Sequence, residues 1–399
     1  MQNNFEKLFS PLKIKNNLLK NRFVLSPITL NASSKNGFAS KKDINYALKR
    51  AHSAPLSITS AAYINKEAQL FEFGFSLMSD KHIESMKKVA NAMKIKGSKA
   101  IVQLTHSGRF SIISHFRNGY VVGPSKRFFN FPKEHYVQEL SIKDIKKIVK
   151  DYENATLRAI KAGFDGVEIS SAQRLLLQAF FSKNENKRND KYGSQNIKNR
   201  SRLTLEVLSS VQKIIKKHAS KNFILGFRAT PEEILGQDIG FTFDEFLNLI
   251  ENIIKKIKID YLSLASWGKN IYLNKVRTES KYKNWLWTKA VRDYFKDKLI
   301  LMINGGINSP EKCIEAIEHV DLIGLSSVFI ADPDFALKIE KKQFESINLN
   351  IIKKDLNKLS IPKAAFKEIV QMMDYGASLP QESRDELRKL ENNYKNIKK

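Results

Sequence analysis

The polar residues of this 399-residue chain that could do chemistry stand where apolar runs stop. GFDGVEISSAQRLLLQ (Gly163–Gln178) carries one buried-looking acid, Glu168, inside the run Phe164–Ile169, then a polar corner at Ser170 and Ser171. In a parallel sheet such a run is a strand opening onto a loop, where catalytic and ligand groups collect. Arg228 closes a second run, Phe223–Ala229. A buried guanidinium needs a partner, either Glu168, which would be architectural, or the electron-rich edge of a ligand. Gln103, His106 and Arg109 sit at the end of a third run, Lys99–Leu104. Gln103 can donate and accept on a ring edge, His106 could add a hydrogen bond, and Arg109 meets either an anion or a structural acid. Asn304-Gly305-Gly306 and Ser326-Ser327 follow two late runs. A double glycine alone is often a plain turn, but paired with hydroxyls at the next strand end it matches a barrel phosphate site.

Other chemistries lack their residues. Glu168 is the lone buried-looking acid in its run, whereas hydrolases of this architecture usually use two. No Gly-x-Ser-x-Gly, HExxH or Walker sequence occurs. The one cysteine, Cys313, excludes an intrachain disulfide, a cysteine metal cage and an iron–sulfur cluster, and its helical setting suits packing. His52, His82 and His218 fall on helices or helix ends, and His115 and His135 lack metal-ligand spacing, so no metal is expected. The 68 Lys and Arg against 41 Asp and Glu give a net charge of +27, which favours polyanions. The lysines are interspersed with acids and asparagines, and no compact basic stripe alternates with aromatics, which argues against nucleic acid. The stretch Phe110–Tyr136, with Arg117, Lys126, Arg127 and Lys133, fits a loop over an active site at least as well. No cationic–apolar leader and no membrane-length apolar run occur, so a soluble, cytoplasmic protein is expected.

The elements that must position these residues alternate. Strands are expected at Arg22–Pro27, Pro55–Tyr63, Lys99–Leu104, Phe164–Ile169, Phe223–Ala229, Tyr261–Ala265, Leu299–Ile303 and Leu322–Leu325. Helical periods separate most of them, including Lys42–Ser53, Asp80–Lys96, the segment from Ser141 to Ala162, Arg202–His218 and Thr242–Ile257. Eight strands in this alternation are the (β/α)8 pattern, an α/β TIM barrel. A doubly wound open sheet is the alternative, weakened because no glycine fingerprint follows the first strand. Phe5–Pro11 is expected as a lead-in, and Leu12–Leu18 as a hairpin covering the barrel bottom. Asn184–Arg202 has no hydrophobic period and is expected to be a lid or loop. From Phe335 onward the pattern becomes two or three helices punctuated by Pro362 and Pro380, expected to pack outside the barrel.

Residues 5–340 resemble the flavin-dependent Old Yellow Enzyme family, the NADH:flavin oxidoreductase and 2,4-dienoyl reductase group. The resemblance rests on LFSPLKIKNNLLKNRFVLSPIT (8–29), QLTHSGR (103–109), GFDGVEI (163–169), SKNENKRNDKYGSQNIKNR (182–200), GFRATP (226–231), NGGI (304–307) and DLIGLSSVFIADP (321–333). It implies an FMN-binding TIM barrel over residues 1–340, a helical extension over 341–399, hydride transfer from NADH or NADPH, and a small-molecule acceptor. By position it implies Ser26, Pro27 and Thr29 beside the flavin ring, with Thr29 tuning its potential. It further implies Ala61 against the ring, Gln103 on its pyrimidine side and Arg228 near N1 and O2. Gly305, Gly306, Ser326 and Ser327 would hold the phosphate. A homo-oligomer is compatible with all of this.

The sequence departs from that family at the mouth. Where two substrate-orienting residues, His/His or His/Asn, and a tyrosine are usual, this chain has Ser170, Gln173 and Leu175. Ser326-Ser327 stands where Gly-Arg is usual. Ser170 and Gln173 can still donate hydrogen bonds, so they are the candidate substrate-orienting pair, with Thr29 and Arg228 as the other catalytic candidates. The alternative to an enzyme is a flavin-binding, catalytically altered barrel acting as a nucleotide- or protein-interaction module.

Overall fold

The computed structural model describes residues 2–130 and 134–393. Its centre is a ring of eight parallel strands: Phe23–Leu25, Leu56–Tyr63, Lys99–Thr105, Gly166–Ser171, Ile224–Ala229, Tyr261–Leu264, Leu301–Asn304 and Leu322–Leu325. Each pairs with the next, and Leu325 returns to pair with Leu25, so the ring closes without an edge. This is the expected (β/α)8 barrel, and closure excludes the open sheet. The fourth strand runs two residues further than expected, taking in Ser170 and Ser171.

Side chains alternate along each strand, so every second residue points into the ring. The lower layer is apolar: Val24, Leu56, Ile101, Ile224, Met302 and Leu322 form one buried cluster. Ile14 and Leu19 of the antiparallel hairpin Leu12–Ile14/Asn17–Leu19 join it and plug the bottom, as expected. Two or four residues further along, the same inward positions become Gln103, Glu168, Arg228, Ser263 and Asn304. The switch from apolar to polar along these five strands separates an apolar bottom from a polar top.

Several outer elements differ from expectation for local reasons. The lead-in is a helix, Gln2–Phe9, held where Asn4 Nδ2 donates to Ile314 O (3.1 Å) and Lys7 Nζ to Ile317 O (2.8 Å). Ser141 caps Ile142–Lys161 as expected, its side chain accepting from Asp144 N. The next helix, Ile197–His218, starts five residues early because Asn196 accepts from Asn199 N. The polar segment before it is an ordered wall. Buried Asn186 donates to Phe180 O (2.8 Å) and Tyr192 O (2.7 Å), while buried Arg188 reaches Pro124 O (3.0 Å) and Leu140 O (2.6 Å). The connection from Ser111 to Glu139 holds a short helix, Ile112–Asn118, and a three-stranded sheet of Tyr120–Gly123, Arg127–Phe129 and His135–Glu139. Lys133 lies outside the described residues.

The C-terminal segment forms Phe335–Glu340, Asp355–Lys358, Val370–Gly376 and Gln381–Glu391, with Pro380 directly before the last. Its apolar residues, Ile351, Phe366, Val370 and Leu387 among them, share a core with Leu30, Ala32 and Phe71 from loops at the barrel mouth. Among the described residues no helix is long and apolar enough to cross a membrane, and no group of His, Cys, Asp and Glu could hold a metal ion.

Candidate active site

The polar layer is wired across strands. Ser26 Oγ donates to Asn304 Oδ1, and Asn304 Nδ2 donates to Ser263 Oγ (2.8 Å) and Leu264 O (2.9 Å). Arg228 Nη1 reaches the same Ser263 Oγ at 3.4 Å. Glycine at 324 makes this wiring possible, because a Cβ there would lie 2.0 Å from Asn304 Oδ1 and 2.2 Å from Ser26 Oγ. A second cluster surrounds Glu168, which accepts from Gln103 Nε2 (2.7 Å) and Tyr261 OH (3.1 Å). Glu168 is therefore satisfied without Arg228, and among the described residues Arg228 forms no ion pair. Burial pushes the Arg228 pKa down while Glu168 opposes the shift. Burial likewise pushes Glu168 up, against the nearby Arg228 charge and its two hydrogen bonds.

Above this layer lies a cavity of about 240 Å³. Ser26, Pro27, Thr29, Ala61, Gln103, Gln173, Arg228, Gly305, Gly306, Ser326 and Ser327 all line it, so eleven of the twelve candidate residues share one space. The exception is Ser170, buried at its strand end in register with Arg228 and not among the lining residues. Gly305 (φ +103°) and Gly306 (φ +86°) form the turn after the seventh strand. A Cβ on Gly306 would lie 2.4 Å from Asn270 Cα, so the loop after the sixth strand packs directly onto the glycines. Among the described residues the amide N–H groups of Gly305 and Gly306 have no protein acceptor, and both residues line the cavity.

His106 and Arg109 stand apart from this cavity. His106 is buried, its Nδ1 accepts from Gly108 N (3.1 Å), and burial drives its pKa down to about 3. Arg109 pairs with Glu185 (3.4 Å) and stacks over Phe110 and Phe129, which is the structural alternative. Two parts of the wall were not anticipated. Ser266, Trp267 and Gly268 lie just past the sixth strand, after Ala265, where the strand-end rule would have found them. Ile369, Met372, Tyr375 and Ser378 come from the C-terminal segment, where nothing in the apolar pattern distinguishes a mouth from a core.

Gln173 (φ +59°) and Arg174 (φ +61°) are consecutive non-glycine residues in the left-handed region. The strain is held by Gln173 N donating to Thr230 Oγ1 (3.1 Å), Arg174 N to Gln178 Oε1 (2.9 Å) and Trp267 Nε1 to Gln173 O (3.4 Å).

Comparison with known proteins agrees with this geometry. Residues 7–345 match the sequence model of the NADH:flavin oxidoreductase / NADH oxidase family. An uncharacterized oxidoreductase of Streptococcus pyogenes is 51% identical over 399 residues, all of both chains. A probable NADH-dependent flavin oxidoreductase of Bacillus subtilis is 29% identical over 93% of this chain and 97% of its own length. Among solved structures, Old Yellow Enzyme from Pichia sp. superposes with a TM-score of 0.69 at 27% identity, over 84% of this chain and 87% of that one.

Proposed function

The chain belongs to the NADH:flavin oxidoreductase / NADH oxidase family, an FMN-dependent oxidoreductase group, and from that premise we propose how its own residues serve the reaction. The chemistry that bound FMN supplies is two-electron transfer, a hydride taken from NADH or NADPH and passed to an acceptor. The observation that carries the proposal is Arg228: a buried guanidinium facing the cavity, satisfied by no acid, suits the electron-rich edge of a flavin. Its charge stabilises negative charge that grows on that edge during reduction.

The other residues divide the work. The unpaired amides of Gly305 and Gly306, with the Ser326 and Ser327 hydroxyls, suit a phosphate. Ser26, Pro27, Thr29 and Ala61 suit one face of the ring, and the Gln103 amide, hydrogen-bonded to Glu168, suits its polar edge. Gln173 is the substrate-facing donor. Ser170 acts from behind it, at the strand end that sets the 170–174 turn. Residues 1–340 are the FMN-binding barrel, and 341–399 are a helical extension that completes the mouth. The acceptor is a small molecule with a polarised double bond, such as an activated alkene or quinone. Dependence on reduced nicotinamide and one buried thiol, Cys313, suits a cytoplasmic setting.

The test is the visible spectrum of freshly purified protein, FMN titration of apo-protein, and anaerobic mixing with NADH and NADPH. Flavin absorbance that bleaches with either donor is expected. No flavin and no binding at high micromolar FMN would overturn the cofactor assignment. A protein that stays yellow with both donors would instead be a flavin-binding barrel whose redox chemistry has lapsed.

A further inference from the structure

A second cavity, of about 370 Å³, opens beside the first and shares Gln173, Ser266 and Trp267 with it. Its remaining wall carries Arg174, Lys275 and Arg277, with Glu232 and Glu233 beneath. Both acids are occupied by the protein. Glu232 accepts from Arg277 N (3.0 Å), Thr278 N (3.0 Å) and Trp287 Nε1 (3.3 Å), and the Arg277 side chain lies 3.6 Å away. Glu233 accepts from Gln178 Nε2 (2.7 Å) and Ser182 Oγ. Arg174 is left over. Among the described residues it makes no ion pair and its guanidinium makes no hydrogen bond, although its charge is felt by Glu233. The strained turn that projects Gln173 into both cavities also holds Arg174 at the second one.

We infer that the second cavity is a subsite for a carboxylate on the acceptor, held by Arg174 while the reactive end of the same molecule lies against Gln173. This rests on the proposed FMN reaction in the first cavity and names the class of acceptor. With Arg277 and Glu232 cancelling, Arg174 and Lys275 against Glu233 leave one net positive charge. That matches a monoanion better than the doubly charged pyrophosphate of a nicotinamide dinucleotide. An anionic anchor also compensates for the neutral Ser170/Gln173 pair, because the acceptor is held from its far end.

The probes are 4-formylbenzoate and its methyl ester, which share a carbonyl and differ in charge. Calorimetric titration of the FMN-loaded protein should give about tenfold tighter binding of the carboxylate, one charge-assisted contact. In Arg174→Gln that preference should vanish, and in Arg174→Lys most of it should remain. Retained FMN absorbance and an unchanged melting temperature report that each variant is folded. No preference in the wild type, or a preference that survives Arg174→Gln, overturns the assignment. Weakened NADH binding with the carboxylate preference intact also overturns it, and gives the subsite to the donor. The titration needs no turnover, so a failure of hydride transfer to the flavin is read separately from a failure here.

Discussion

Arg228 and Glu168 lie on adjacent barrel strands and feel each other's charge, yet no ion pair joins them. Gln103 and Tyr261 take the acid, and the guanidinium is left to the cavity with Ser263 Oγ at 3.4 Å. If Arg228 existed to balance Glu168, the two would be in contact. Arg228→Ala should therefore abolish flavin reduction by NADH in stopped-flow mixing, while the melting temperature of the apo-protein holds or rises. Loss of fold with normal reduction in the surviving fraction would mean an architectural role.

Glu168→Gln tests the same relationship from the other side. The amide keeps the shape and can still accept from Tyr261, but it removes a buried negative charge beside Arg228. The uncompensated guanidinium then favours the reduced, anionic flavin more strongly. The midpoint potential of bound FMN should move to more positive values, with FMN affinity held. A potential that falls or does not move would separate Glu168 from the cofactor.

The barrel was legible because burial of eight strands on both faces leaves continuous apolar runs, and a polar residue late in a run marks the end that faces the cavity. That rule placed Gln103, Arg228 and the two glycines at the cavity. It did not find the partner of Arg109, since Glu185 sits in a polar segment where no period identifies a buried acid. Nor could it reveal that Met372 and Tyr375 line the mouth, because a short apolar helix has the same pattern over a ligand as over a core. Arg174 was invisible for another reason. Its left-handed backbone and missing partner are properties of the turn, and arginine is an ordinary residue in any loop.

Ser170 and Gln173 carry no positive charge, so they polarise an acceptor carbonyl less than a histidine pair would. Cyclohexenone, which also lacks a carboxylate, should be reduced slowly, and Ser170→Ala/Gln173→Ala should slow it further. Fast cyclohexenone turnover that is indifferent to the double substitution would contradict both roles.

Ser327 lines the cavity at the proposed phosphate end, and among the described lining residues Arg228 is the one charged side chain. Ser327→Arg should tighten FMN binding by about 1.5–3 kcal/mol, one charge-assisted phosphate contact. Titration of the two apo-proteins by flavin fluorescence quenching measures it. An unchanged Kd would mean that other groups already neutralise the phosphate.

The last prediction concerns acid. Burial drives His106 down to about 3 from its ordinary 6.5, and its Nε2 has no hydrogen-bond partner among the described residues. Between those two values the unfolded chain holds a proton on this imidazole and the folded chain does not. The unfolded state therefore binds more protons in that window, and stability falls as the pH drops from 6.5 toward 3. The contribution is fully present above 6.5. Lowering the pH from 7 to 4.5 should cost about 2–3 kcal/mol through this residue alone. His106→Asn places a neutral acceptor near the position of Nδ1, where Gly108 N donates, and removes the titration. Urea unfolding of both proteins at the two pH values should give the variant the smaller acid loss by that amount. Equal losses would mean that His106 is protonated in the folded protein near its ordinary pKa.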